Sequence, residues 1–220
     1  MRTILDSPGK TVAVIVAHPD DETLWCGGLI LLHPDHHWHI ISLCRKSDPD
    51  RAPKFYKVLG ILNANGSMGD LDDGPEQISL EDKVVRRTIL ELLPNQLYDL
   101  VITHDPAGEY TRHKRHEETG SACIRLWYKN GIETKELWTF AYEDGGKTYH
   151  PKAIENASIL QLLPAKIWER KFRLITETYG FEAGGFEAET TPKTEAFWRF
   201  TKPEEAVKWL KISQTKYADN

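Results

Sequence analysis

Thr11-Val12-Ala13-Val14-Ile15-Val16-Ala17-His18-Pro19-Asp20-Asp21-Glu22 is the stretch that decides the fold. Its first seven residues are an unbroken apolar, β-branched run, which a strand of a parallel sheet covered on both faces requires. A second such run, His39-Ile40-Ile41-Ser42-Leu43-Cys44, follows. Between them Glu22 to Leu32 reads as a helix, with Leu24, Leu29, Ile30 and Leu32 on its apolar face and Gly27-Gly28 allowing close packing on a strand. Strand, helix and strand in that order make a βαβ unit.

The alternation continues through predicted helices at Ala52 to Leu59 and Leu80 to Leu93, the latter ended by Pro94, a third strand at Asp99 to Thr103 and a helix from about His113 to Tyr128. Further on, Glu136 to Tyr142 and Glu195 to Thr201 read as strands. Pro164 to Tyr179 and Pro203 to Ile212 read as helices. The expected class is α/β and Rossmann-like, a mainly parallel sheet covered by helices on both faces. No linker or composition break divides the chain, so residues 1–220 are expected to form a single domain. Residues 1–130 would be its core and 131–220 a C-terminal extension.

The 220 residues are 40% hydrophobic and 28% charged, the balance of a globular protein, and no apolar run reaches the roughly 20 residues of a membrane span. The formal net charge is -5 with Lys and Arg dispersed, which speaks against a nucleic-acid partner. The first ten residues lack the apolar stretch of a signal peptide, so a cytoplasmic location is expected. Cys26, Cys44 and Cys123 sit in apolar settings without CxxC spacing and read as buried free thiols.

Ligands of open parallel sheets bind beyond the carboxyl ends of the strands. Ala17 to Glu22 falls there, with one imidazole and three carboxylates within five residues, and that much unpaired charge beside a buried strand calls for a cation. Helix capping alone would explain one aspartate but not the cluster. The second half of the site follows the third strand, where His113 and His116 stand three apart and share a helical face. Zinc takes imidazole and carboxylate ligands, keeps a position open for water in catalytic sites, and lowers that water's pKa from about 15.7 toward about 7. One carboxylate beyond the ligands would serve as general base, and one leftover histidine would polarise a carbonyl or stabilise an oxyanion as an imidazolium. Spacing alone leaves five candidate ligands.

These motifs, Ala17-His18-Pro19-Asp20-Asp21-Glu22 with Trp25-Cys26-Gly27-Gly28, then Gly108-Glu109-Tyr110 and His113-Lys114-Arg115-His116, resemble the PIG-L/LmbE family of metal-dependent N-deacetylases. The resemblance implies a zinc ion, with another divalent metal as the alternative, on His18, Asp21 and His116. It implies Asp20 as the general base, His113 as the residue that polarises the acetyl carbonyl, and Glu22 as the support of the first loop. The implied activity is a hydrolase, a zinc-dependent N-deacetylase of N-acetylglucosamine-type sugars or glycoconjugates. A non-catalytic metal- or sugar-binding member of the fold, or an amidase for a non-sugar amide, is the alternative. The family places a substrate-contacting arginine near the helix after the second strand; Arg51 is the nearest match and Arg45 the second. Trp25, Cys44-Arg45-Lys46 and Lys114-Arg115 depart from the family's usual residues.

Several further signals carry less. His33 to His39 holds four histidines but is expected to form a polar loop at the amino edge, away from the site. His104 ends the third strand near the metal. In Gly69 to Gly74, Asp70 or Asp72 is expected to reach sugar hydroxyls, and the glycine-rich stretch Gly180 to Phe186 reads as a lid or a homo-oligomer contact. A dinucleotide enzyme is excluded, because His18-Pro19-Asp20-Asp21 cannot present backbone amides to a pyrophosphate as a glycine-rich turn does.

Overall fold

Alternation along the first apolar run sends Val12, Val14 and Val16 into one hydrophobic cluster and Ala13 and Ile15 into another, so this strand is buried on both faces as expected. The computed structural model describes residues 3–215. The elements run β1 (Thr11–Val16), α1 (Asp21–Leu32), β2 (His37–Cys44), α2 (Arg51–Leu62), β3 (Asn65–Leu71), α3 (Asp82–Leu92), β4 (Tyr98–Thr103) and α4 (Lys114–Tyr128). They continue with β5 (Thr134–Phe140), β6 (Tyr142–Glu143), β7 (Lys152–Ala153), β8 (Ile159–Leu162), α5 (Ala165–Arg173), α6 (Phe186–Thr190), β9 (Thr194–Phe200) and α7 (Pro203–Thr215).

The main sheet has the order β3-β2-β1-β4-β5-β9-β8. Its first five strands are parallel, while β9 runs antiparallel to both β5 and β8. Leu24, Trp25, Phe55 and Val58 from α1 and α2 cover one face; Val85, Ile89, Cys123 and Leu210 from α3, α4 and α7 cover the other. The fold is therefore α/β with a mainly parallel sheet. No helix of the described residues is long and apolar enough to cross a membrane.

Two elements escape the sequence pattern. β3 carries Asn65, Gly66 and Gly69 and no β-branched residue, so it lacks a strand signature. It pairs because a side chain at Gly66 would collide with the Ile40 backbone, and only glycine permits that approach. The predicted helix over Pro164 to Tyr179 is two pieces, α5 and then a π-helical turn at Leu174–Thr178. Cys26, Cys44 and Cys123 are all free and buried. The histidine run is not wholly a loop: His37 and His39 open β2, and His36 is buried against Lys10 N–H (3.4 Å) and the Leu5 carbonyl (3.1 Å).

The late strand β9 is tied to α1 by charge. Glu195 accepts the N–H groups of Gly28 (2.7 Å) and Leu29 (2.6 Å) and the Lys171 ammonium (2.7 Å), and both side chains of the ion pair are fully buried. A Cβ at Gly28 would overlap Leu163 and stand 2.9 Å from the Glu195 carboxylate, which is why α1 carries glycine there. Removing one partner of a buried pair strands the other charge. Lys171→Met is therefore expected to lower the unfolding free energy by about 3–5 kcal/mol in denaturant titrations, and Gly28→Ala by about 1–3 kcal/mol.

Candidate metal centre

Each of the first four parallel strands delivers part of the site from its carboxyl end. His18 and Asp21 follow β1, Arg45 and Arg51 follow β2, Asp73 follows β3, and His104 to His116 follow β4. Three donor atoms meet where these loops converge. His18 Nδ1 is 3.1 Å from Asp21 Oδ2 and 3.2 Å from His116 Nε2, and His116 Nε2 is 3.3 Å from Asp21 Oδ2.

The outer atoms of the same side chains define where their protons sit. His18 Nε2 donates to Asp73 Oδ1 (3.2 Å), and His116 Nδ1 donates to Glu109 Oε2 (2.7 Å). Asp21 Oδ1 accepts the Trp25 indole N–H (3.1 Å), while Oδ2 accepts the His18 backbone N–H (2.9 Å). With those bonds made, neutral imidazoles turn two nitrogen lone pairs and a carboxylate oxygen toward one another in a buried place. That arrangement is repulsive unless a cation joins it, and donors around a tetrahedral zinc at about 2.0–2.2 Å lie roughly 3.3 Å apart. The donor set fits such an ion.

Two neighbouring histidines also come within reach of a shared ion, in the groups His18-His113-His116 and Asp21-His104-His116. His104 Nε2 accepts the Ala17 backbone N–H (3.0 Å), so its lone pair is already used. Its Nδ1 donates to Glu109 Oε2 (2.8 Å), which makes Glu109 the common brace of His104 and His116. His113 is not in the helix but immediately before α4, in an extended conformation, and its ring stacks on His116 at 4.4 Å. Its buried Nδ1 has no hydrogen-bond partner.

The charges follow from these contacts. Burial would lower His18, but hydrogen bonds to Asp21 and Asp73 outweigh it and raise the imidazole above its usual value. Burial opposes His116 in the same way, and the Asp21 carboxylate more than offsets it. His113 goes the other way, to about 3, from burial and the nearby His116 and His18. Those contacts favour the neutral ring, which carries one N–H. Asp20 is pushed up by burial and by Asp21 beside it.

Asp20 has φ of 113°, a backbone region costly for a non-glycine residue. Glu22 holds it there. One Glu22 oxygen accepts the Asp20 N–H (3.0 Å), and the other accepts the hydroxyls of Thr23 (2.6 Å) and Tyr179 (2.7 Å). On the open side, Arg51 Nη1 lies 3.4 Å from Asp20 Oδ2 and its guanidinium covers the Phe181 ring at 4.2 Å. Arg45 is bound to Asp73 at 2.7 and 3.0 Å. Both arginines line the same hollow as His18, Asp20, Asp21 and His113.

Sequence reading missed Asp73, Glu109 and Tyr179. It favoured Asp70 or Asp72, but Asp70 accepts the Ser47 N–H (3.2 Å) and Asp72 points outward near Arg115. Asp73 is brought in by buried Arg115, which donates to the carbonyls of Asp72 (2.5 Å) and Ile78 (2.6 Å) and pairs with Glu118. Trp25 and Arg115 thus support the site. Glu109 lay within a quoted motif, and its only signal was a carboxylate seven residues before a candidate ligand.

No family model matches the chain. The chain is 23% identical over 180 residues to the uncharacterized protein L374 of Acanthamoeba polyphaga mimivirus, covering 74% of this chain and 75% of that one. Among solved structures it resembles the N,N'-diacetylchitobiose deacetylase of Pyrococcus horikoshii, with a TM-score of 0.64, 15% identity and coverage of 87% and 84% of the two chains. The 4-carboxy-2-hydroxymuconate hydratase GalB of Pseudomonas putida superposes with a TM-score of 0.57, 14% identity and coverage of 88% and 97%. The conserved protein TT1542 of Thermus thermophilus superposes with a TM-score of 0.56, 17% identity and coverage of 86% and 94%. At these identities the likeness is one of fold.

Glu109→Gln is expected to weaken zinc binding about 10–100-fold in chelator competition, because His116 loses the carboxylate that orients it. A metal ion taken up here would also displace the protons that the raised His18 and His116 retain. Affinity is therefore expected to fall as pH drops through their range, with proton release on binding measurable by calorimetry in buffers of different ionisation enthalpy.

Proposed function

We propose that the chain is a zinc-dependent N-deacetylase acting on an N-acetylglucosamine-type sugar or glycoconjugate. The observation that carries this reading is a surplus of groups: the donor atoms of His18, Asp21 and His116 lie 3.1–3.3 Å apart, while Asp20 and His113 line the same hollow without a hydrogen bond to those atoms. A module that only bound a metal would have no use for the second pair. A zinc ion bound there would act as a Lewis acid, lowering the pKa of a water toward about 7 and drawing charge from the acetyl carbonyl.

The chain's own groups supply the rest. Asp20 takes the proton of the water that attacks the acetyl carbon, and its raised pKa suits it to hand that proton to the departing amine. A carbon–oxygen bond forms, the amide carbon–nitrogen bond breaks, and acetate and a free amine result. The neutral His113 N–H donates to the oxygen on which charge develops. Glu22 and Tyr179 fix Asp20, and Glu109 fixes His116. Arg51 and Arg45 line the hollow and offer N–H groups to substrate hydroxyls.

We take the chain as one catalytic unit, since the part beyond residue 130 contributes Tyr179 to the Asp20 support and Phe186 to the pocket wall. Asp20→Asn is expected to lower kcat for acetate release by about 10²–10⁴-fold with zinc content unchanged, measured alongside the metal stoichiometry. A zinc-loaded Asp20→Asn protein with full activity would remove the proposed base.

A further inference from the structure

A separate hollow of about 450 Å3 is enclosed by the β4–α4 loop, the turn after β6, β9 and α7. Its volume falls in the roughly 300–1,000 Å3 range of pockets that bury a small ligand. None of His18, Asp20, Asp21, His113 or His116 lines it. Glu109 stands between the two places, its Oε1 accepting the Asp105 N–H (3.0 Å) and its Oε2 bound to His104 and His116.

The walls are aromatic and acidic. Trp198 of β9 and Trp209 of α7 stand with their rings 4.8 Å apart and inclined by 45°, and Phe140 and Tyr142 add two more rings. Asp105, Glu143 and Asp144 supply the charge, and their hydrogen bonds come from neutral groups. Asp105 accepts the Ala107 N–H (2.9 Å), the Thr139 hydroxyl (3.0 Å) and the Trp209 indole N–H (2.8 Å). Glu143 accepts the Tyr149 hydroxyl (3.1 Å), and Asp144 accepts the Thr111 N–H and hydroxyl (both 2.7 Å) and the Gly146 N–H (3.0 Å). The basic side chain of the lining, Arg112, is spread over Glu117 at 3.0 and 3.1 Å.

Neutral donors orient a carboxylate without cancelling its charge, and burial still pushes Asp105 up to about 6. A cation in the hollow would supply what is missing. Carboxylates that already hold donors offer a ligand charge more than acceptor positions, and aromatic faces attract a cation that has no N–H to satisfy. We infer that this hollow is a binding site for a small alkylated ammonium, held by the rings of Trp198 and Trp209 and by the charge of Asp105, Glu143 and Asp144. The site goes beyond the deacetylase reading and does not depend on it.

The test is calorimetric titration of the full-length protein, in zinc-containing buffer, with choline and with neohexyl alcohol, which has carbon in place of the charged nitrogen. Choline is expected to bind with a Kd of about 1 mM or below, and about tenfold or more tightly than the alcohol. Trp198→Ala is expected to weaken choline about tenfold, and Glu143→Gln, a change at an exposed side chain, about threefold. If Trp198→Ala does not fold, the loss in Glu143→Gln decides. Equal binding of the two probes, or a choline affinity that these substitutions leave unchanged, would overturn the inference. So would choline binding that is lost in Asp20→Asn and kept in Trp198→Ala, because the cation would then sit at the metal centre.

Discussion

Two imidazole nitrogens and a carboxylate oxygen held 3.1–3.3 Å apart, with their outer atoms already hydrogen-bonded, form the constraint on which the rest of the site depends. Lone pairs do not stay that close without a positive charge among them. The surrounding residues hold them there: Asp73 behind His18, Glu109 behind His116, and Trp25 on the far oxygen of Asp21. The loops bearing these residues all leave the carboxyl edge of the parallel strands, so strand order brings together residues far apart in the chain. A buried carboxylate bridging two imidazoles is costly unless both nitrogens donate, which ties Glu109 to the roles of His104 and His116.

Much of this was legible in the sequence because it rests on local patterns. The apolar run before His18 reads as a doubly covered strand, and that strand is present in the fold with His18 and Asp21 beyond its carboxyl end. β3 was not legible, because its pairing depends on the absence of a side chain at Gly66, a fact about the neighbouring strand. The choice of Asp73 over Asp70 and Asp72 was also hidden, since it depends on Arg115 anchoring a loop from the opposite side. Tyr179 reaches Glu22 from beyond a π-helical turn, and no spacing rule connects the two. Only the resemblance implies which of the adjacent aspartates is base and which is ligand; residue spacing alone left that open.

Fold likeness does not choose the chemistry. A deacetylase and a hydratase both share this architecture at about 15% identity or less, and a shared scaffold hosts unrelated reactions. The proposal of amide hydrolysis rests instead on the site: Asp20 with a raised pKa on a strained backbone, His113 with a lowered pKa and an unengaged nitrogen, and a donor triangle of the right size. The last third of the chain belongs to that site. It anchors α1 through Glu195 and Lys171, supports Asp20 through Tyr179, and extends the pocket through Phe186.

X-ray absorption spectroscopy at the zinc edge of the metal-loaded protein tests the central claim most directly. The account predicts one ion per chain with two imidazole nitrogens and one carboxylate oxygen at about 2.0–2.2 Å, and loss of one imidazole in His116→Ala but none in His113→Ala or His104→Ala. A site with three imidazoles, or a chain that takes up no zinc, would contradict it.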